Sequence, residues 1–253
     1  MIAVLFARRD SIYKSMPGCD VWDIDRDARL WPGGCPIVAH PPCRAWGALK
    51  AFAKPRPDEK DLARWAVAQV RQHGGVMEHP RYSSLWRDQG MSLGRDSDAW
   101  GGFTISVDQH WWAHKCAKPT WLYVVGVARR NLPRVEIPFT QPTHCIDDGA
   151  RFKGIDMALR MKPLPKSERE KTPPLFADWL CEIARRAGGY QNPVDQQPVG
   201  ISASIGGELG NCSIGGAVNL PLAAEAPSFD FVSPHFKADV HDRVPLVAPA
   251  YAK

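Results

Sequence analysis

The chain has 253 residues, 44% hydrophobic and 23% charged, the composition of a globular protein with room for one large domain or two small ones. No run approaches the roughly 20 apolar residues that a membrane span needs. The seven cysteines are odd in number and scattered, which argues against a disulfide framework and for reduced thiols in a cytoplasm.

Lysine and arginine outnumber aspartate and glutamate by 32 to 27, while residues 189–253 hold three basic and six acidic side chains. The positive excess therefore lies in residues 1–188, as do all ten tryptophans. A basic, tryptophan-rich body favours a partner with phosphates and stackable rings, although an enzyme without such a partner could carry the same charge.

Residues 2–6 (IAVLF) form a short continuous apolar run, the pattern of a strand covered on both faces. The arginines that follow at once distinguish it from a secretory leader. Cys19–Trp22 predicts a second strand, ending at Asp23, Asp25 and Asp27. Residues 36–39 predict a third, running into His40-Pro41-Pro42-Cys43. Over residues 58–72, Leu62, Trp65, Ala66 and Val70 follow helical spacing between Pro57 and the pair Gly74-Gly75. Val76 and Met77 then open a strand that delivers Glu78-His79-Pro80, and residues 121–127 (WLYVVGV) predict another.

Near the end of the body, Thr172 is the expected N-cap of a helix with Pro173 in its first turn. The stripe of that helix is Leu175, Phe176, Trp179, Leu180, Ile183 and Ala184. Strands alternating with helices predict an α/β fold, a doubly wound, mostly parallel, Rossmann-like sheet. The boundary falls at residues 188 and 189. Beyond it, glycine pairs, proline and serine without helical period read as a weakly ordered C-terminal extension.

Sheets of this kind bind ligands at the carboxyl ends of their strands, and those ends carry Asp23 and Asp25, Cys43, and Glu78. Two prolines hold the side chain that follows them, and a thiolate is an intrinsic nucleophile. His40 and Arg44 are placed to lower the Cys43 pKa. Taken singly, Cys43 could be a structural cysteine and Glu78 a helix cap or an ion-pair partner. The two in this order, one helix apart, are more specific. His40 with Cys43, His114 with Cys116, and His144 with Cys145 lack zinc-finger spacing, so no metal is expected.

Pro41-Pro42-Cys43 resembles the proline-cysteine nucleophile motif of the DNA cytosine-C5 methyltransferases. Glu78 in VMEHP resembles that family's glutamate motif, with His79 where asparagine is usual. Residues 107–125 are similar to a later motif in which Gln and Arg precede a strand. Lys118 and Thr120 stand where its arginines stand, with Gln109 further upstream. Residues 167–185 look like the closing helix that packs beside the first strand. The likeness covers about residues 1–188 and is, more narrowly, to short members encoded by phages and prophages.

The resemblance implies a methyltransferase-type fold, with residues 129–171 as a reduced target-recognition segment. It implies that Cys43 adds to C6 of cytosine while Glu78 holds the N3/N4 edge and Lys118 assists. Glu78 would need a raised pKa for that, hence a dry pocket. Trp46, Trp111 and Trp112 would stack near the rim, although most of the ten tryptophans are expected to be core. The implied methyl donor is S-adenosylmethionine, held by Phe6, Asp10, Asp23, Asp25 and Pro41. The implied partner is DNA, for a monomer in the cytoplasm of a bacterial host.

The turn FARRDSIYKS lacks the glycines that the family places there. That departure leaves two further readings: the same cysteine addition with another one-carbon donor or a nucleotide or RNA substrate, and a non-catalytic DNA-binding descendant.

Overall fold

The structure is a computed structural model and describes residues 1–91, 93, 94, 96–146 and 161–195. The extension beyond residue 195 and part of the expected target-recognition segment, residues 147–160, lie outside the described residues.

Six strands form the main sheet: β1 (Ile2–Leu5), β2 (Cys19–Trp22), β3 (Ile37–Ala39), β4 (Gly75–Pro80), β5 (Phe103–Asp108) and β6 (Pro119–Val125). Their order is β2-β1-β3-β4-β6-β5. The pairs β1·β2, β1·β3 and β3·β4 are parallel, whereas β6 runs antiparallel to both β4 and β5. The fold is thus mixed α/β with a mostly parallel sheet, compatible with a Rossmann-like architecture. A short parallel pair, β7 (His144–Cys145) with β8 (Lys162–Pro163), stands apart from it.

Helix α1 (Glu59–His73) covers one face of the sheet and α4 (Pro174–Arg186) the other, with the short helix α2 (Leu85–Asp88) on the α1 side and the short, unburied α3 (Lys166–Arg169) preceding α4 in the chain. Side chains alternate along each strand, so Val4, Val38 and Val76 pack against α4 through Phe176, Leu180 and Ile183. Their neighbours Ala3, Leu5, Ile37, Ala39 and Met77 pack against α1 through Ala63, Ala66, Val67 and Val70. Both sets are buried, which is why the strands read as unbroken apolar runs rather than as alternation. Acidic Glu59 and Asp61 begin α1, while Arg71 and His73 end it, each complementing the helix dipole.

Several expectations shift. Pro173 occupies the cap position of α4 and Pro174 its first turn, and no side chain caps the helix. A proline at the first helical position leaves one fewer amide to satisfy, so Thr172 is not required there. Strand β5 was not expected, although Phe103, Ile105 and Val107 alternate with Thr104 and Ser106. The boundary at 188 and 189 falls too early. The Tyr190 hydroxyl donates to the carbonyls of Arg71 (3.2 Å) and Trp100 (2.9 Å), and Asn192 Nδ2 donates to Gln72 (3.0 Å), so the chain is pinned to the body through these residues. Among the described residues, no helix is long and apolar enough to cross a membrane.

Candidate active site

The chain leaves β1 toward β2 on one side and returns to β3 on the other, so the sheet changes direction between β1 and β3. A crevice is expected beyond their carboxyl ends. A cleft of about 970 Å³ opens there, walled by Phe6, Arg8, Asp10, Pro41 and Pro42, and across from them by residues 166–175. A second cleft of about 1070 Å³ runs from the turn at Gly47–Lys50 past Arg81, Tyr82 and Trp111. Cys43, Arg44, Glu78, Pro80, Lys118, Arg169 and Glu170 line both. The two clefts are therefore arms that meet at the cysteine and the carboxylate.

Cys43 is exposed at this junction. Its turn is tied to α1 by Arg44, whose guanidinium forms a two-pronged ion pair with the buried Glu59. Arg44 is thus spent on Glu59 rather than on the thiol. Contrary to expectation, the Cys43 pKa is raised above the usual thiol value, chiefly because the cleft walls desolvate the sulfur and secondly because Glu78 is negative. Replacing Glu78 by Gln should therefore speed alkylation of Cys43 by iodoacetamide at pH 8 several-fold, read as adduct mass against time. An unchanged rate would show that the carboxylate does not act on the sulfur.

Glu78 is held from three directions. His40 Nδ1 lies 3.1 Å from Oε2, while Gln109 Nε2 and Thr120 Oγ1 each donate to Oε1 at 3.3 Å. The Gln109 amide also donates to Thr120 Oγ1 at 3.1 Å. Burial opposes ionisation of Glu78, but the His40 hydrogen bond and charge, then Lys118 and His79, outweigh it and bring the pKa down to about 2. The raised value expected from the sequence is thus corrected, because no linear motif shows an imidazole folded against the carboxyl group. Lys118 reaches the junction as expected, and burial lowers its pKa against the opposing pull of Glu78, Cys43 and Glu170. His79 is fully buried with its ring edge-on to Trp86, and burial lowers its pKa to about 4, against the smaller pull of Glu78 and of the Pro42 backbone.

Of the residues expected at a methyl donor, Phe6, Asp10 and Pro41 line the first arm, but Asp23 and Asp25 do not. Asp23 is buried, paired with Lys14 at 2.6 Å, and accepts the amides of Asp25 and Arg26. Asp25 is paired with Arg9 at 2.7 Å. Both partners belong to the glycine-free turn after β1, so that turn replaces close backbone approach with cations that neutralise the two carboxylates. Phe6 takes φ 61° at the end of β1, a conformation that favours glycine. The arm has room for a nucleoside-sized molecule. It offers no free carboxylate for ribose hydroxyls after β2, so the residues do not fit S-adenosylmethionine in the manner the resemblance implies.

The tryptophans divide as well. Trp46 and Trp112 are buried in the two cores, and Trp112 packs on Phe176 and Trp179 with ring centroids 4.8 Å from each. Trp111 alone of the three lines the second arm. Tyr82, overlooked in the sequence, stands exposed on the wall of that arm with the Arg81 guanidinium above its ring. Its signal was the turn directly after the Glu-His-Pro segment. Among the described residues, no group of three His, Cys, Asp or Glu side chains could hold a metal ion. No protein-family model, curated protein or solved structure significantly matches the chain.

Proposed function

We propose that the protein is a pyrimidine-modifying enzyme in which the Cys43 thiolate adds to C6 of a cytosine in DNA, so that C5 becomes nucleophilic and accepts a one-carbon group. The observation that carries this reading is the junction: the exposed Cys43 and the part-buried, hydrogen-bonded carboxylate of Glu78 line both arms, as a two-substrate reaction at a single centre requires. Addition of sulfur to C6 moves electron density onto the ring nitrogen edge, which the Lys118 cation would offset and which Glu78 would relieve only once it carries a proton. The base would enter the second arm, beside Trp111 and Tyr82, after leaving its stack, an extrusion that costs a few kcal/mol and that stacking offsets in part. The basic balance of residues 1–188 suits phosphate contact.

In the reading that the sequence resemblance favours, this is a DNA cytosine-C5 methyltransferase with S-adenosylmethionine as donor. Incubation with DNA containing 5-fluorocytosine and that donor should then trap a covalent complex, because fluorine cannot leave C5 as a proton does. Intact-mass analysis showing only free protein would overturn the methyl-transfer reading.

The pairing of Asp23 with Lys14 and of Asp25 with Arg9 favours a second reading, in which the same cysteine addition serves another one-carbon donor or a nucleotide or RNA substrate. Calorimetric titration with S-adenosylhomocysteine separates the two. Heat of binding supports the first, and its absence supports the second.

A further inference from the structure

We infer that His40, backed by Tyr13, is the proton carrier for Glu78, delivering through that carboxylate the proton that the pyrimidine ring takes up when sulfur adds. The inference rests on the pyrimidine-addition reading and deepens it. It stands on a chain of three groups. The Tyr13 hydroxyl lies 3.0 Å from His40 Nε2, and His40 Nδ1 lies 3.1 Å from Glu78 Oε2. Tyr13 is buried in the core and lines the first arm, as His40 and Glu78 do.

The chain stays connected in either protonation state of the ring. With a neutral imidazole, the tyrosine O–H donates to Nε2 while the Nδ1 N–H donates to the carboxylate. With both nitrogens protonated, Nε2 donates to the tyrosine oxygen, which a hydroxyl accepts simply by turning. The ring can thus gain or lose a proton without moving, although the protonated state turns the buried tyrosine O–H away from its acceptor.

The other groups facing Glu78 do different work. Gln109 and Thr120 fix Oε1 through neutral donors. Cys43, Lys118 and Glu170 share the junction, and His79 follows on the same strand behind the wall. Lys118 is the rival source of a proton. Glu78, its pKa brought down to about 2, enters as a carboxylate and must receive a proton before it can give one, so transfer from His40 is an uphill step completed only as the ring nitrogen takes the proton.

The proton balance closes. Cys43 enters as thiolate, its proton lost to solvent. The S–C6 bond forms, and the C5–C6 π pair moves toward the N3 edge, leaving the ring anionic. The Nδ1–H bond of protonated His40 breaks as a bond to Glu78 Oε2 forms. The resulting carboxylic acid then gives its proton to N3, leaving a neutral adduct, a carboxylate and a neutral imidazole.

The test needs no methyl donor, because 5-azacytosine in an oligonucleotide accepts thiolate addition directly. Adduct formation is followed by mass from pH 5 to 9 for the wild type, His40→Asn and Tyr13→Phe, alongside the ¹⁵N titration of the His40 ring. Asparagine keeps a donor to Glu78 but carries no transferable proton. At pH 7 it should cut the rate about a hundredfold and change the shape of the wild-type pH profile. Tyr13→Phe, nearly isosteric in the core, should shift the His40 titration and lower the rate less. A wild-type profile in His40→Asn, or a His40 titration that ignores Glu78→Gln, overturns the relay and favours Lys118 as proton source. A wild-type protein that captures no base overturns the addition reading itself, a result distinct from the other two.

Discussion

Replacing Cys43 by Ala should abolish covalent capture of 5-fluorocytosine DNA and all product formation, while DNA affinity and folding change little. Adduct mass, turnover and a binding isotherm measured on the same preparation give the three readouts. The effect on chemistry is expected to be complete because no second thiol lines the first arm, and Cys145, which lines the second, is buried with its sulfur directed to the Met161 carbonyl. The effect on the fold is expected to be small. Cys43 is exposed, its turn is held by the Arg44–Glu59 pair and by the two prolines, and exposed substitutions of this kind stay within about 0.5 kcal/mol. Cys43→Ser should be nearly as inactive, since a hydroxyl supplies far less anion than a thiol. Unchanged turnover in either variant would end the nucleophile assignment.

Gly75→Ala should be the most damaging single-methyl change among the described residues for the fold, shown by a collapse of the thermal transition or by failure to recover folded protein. Gly75 opens β4 with φ +119°, and a Cβ there would overlap the carbonyl oxygen and amide nitrogen of Ile37 on the paired strand β3. The obstacle is backbone of the central sheet, which cannot turn aside as a side chain can. Relief requires β3 and β4 to part at the register Ile37↔Gly75, and that register sets where His40 and Glu78 end up. A loss of at least about 4 kcal/mol is expected, a large share of the roughly 5–15 kcal/mol that stabilises a domain. A transition within a few degrees of wild type would mean that the two strands are not paired in this way. Glycine at this position thus serves the sheet, whereas Gly74 before it, at φ 74°, ends α1.

The framework was legible because it is written in local patterns. Cys19–Trp22 emerged with the expected bounds, β1 ends one residue earlier than expected, and α1 lies one residue later at both ends. The apolar run of β1 demands cover on both faces, and the stripe of α4 supplies half of that cover. The convergence of Cys43 with Glu78 followed from parallel strands whose ends share one rim. Strand β5 carried its alternation openly, but the tryptophan-rich turn after it drew its last residues into a different motif. The early domain boundary came from reading Gly188 and Gly189 as an end, although Tyr190 and Asn192 return to the body through hydrogen bonds that no spacing announces.

The chain by itself determined the class of fold and the presence of a cysteine and a glutamate at the ends of neighbouring strands. Periodicity and strand polarity are properties of consecutive residues, and they survive without knowledge of what packs where. Only the tertiary structure decided the charge state of the site. Arg44 turns to Glu59, Lys14 and Arg9 occupy Asp23 and Asp25, and His40 bridges Tyr13 to Glu78 across 27 and 38 positions of sequence. Electrostatic pairing depends on distances of a few ångströms between residues far apart in the chain, and those distances exist only once the sheet has closed over its core.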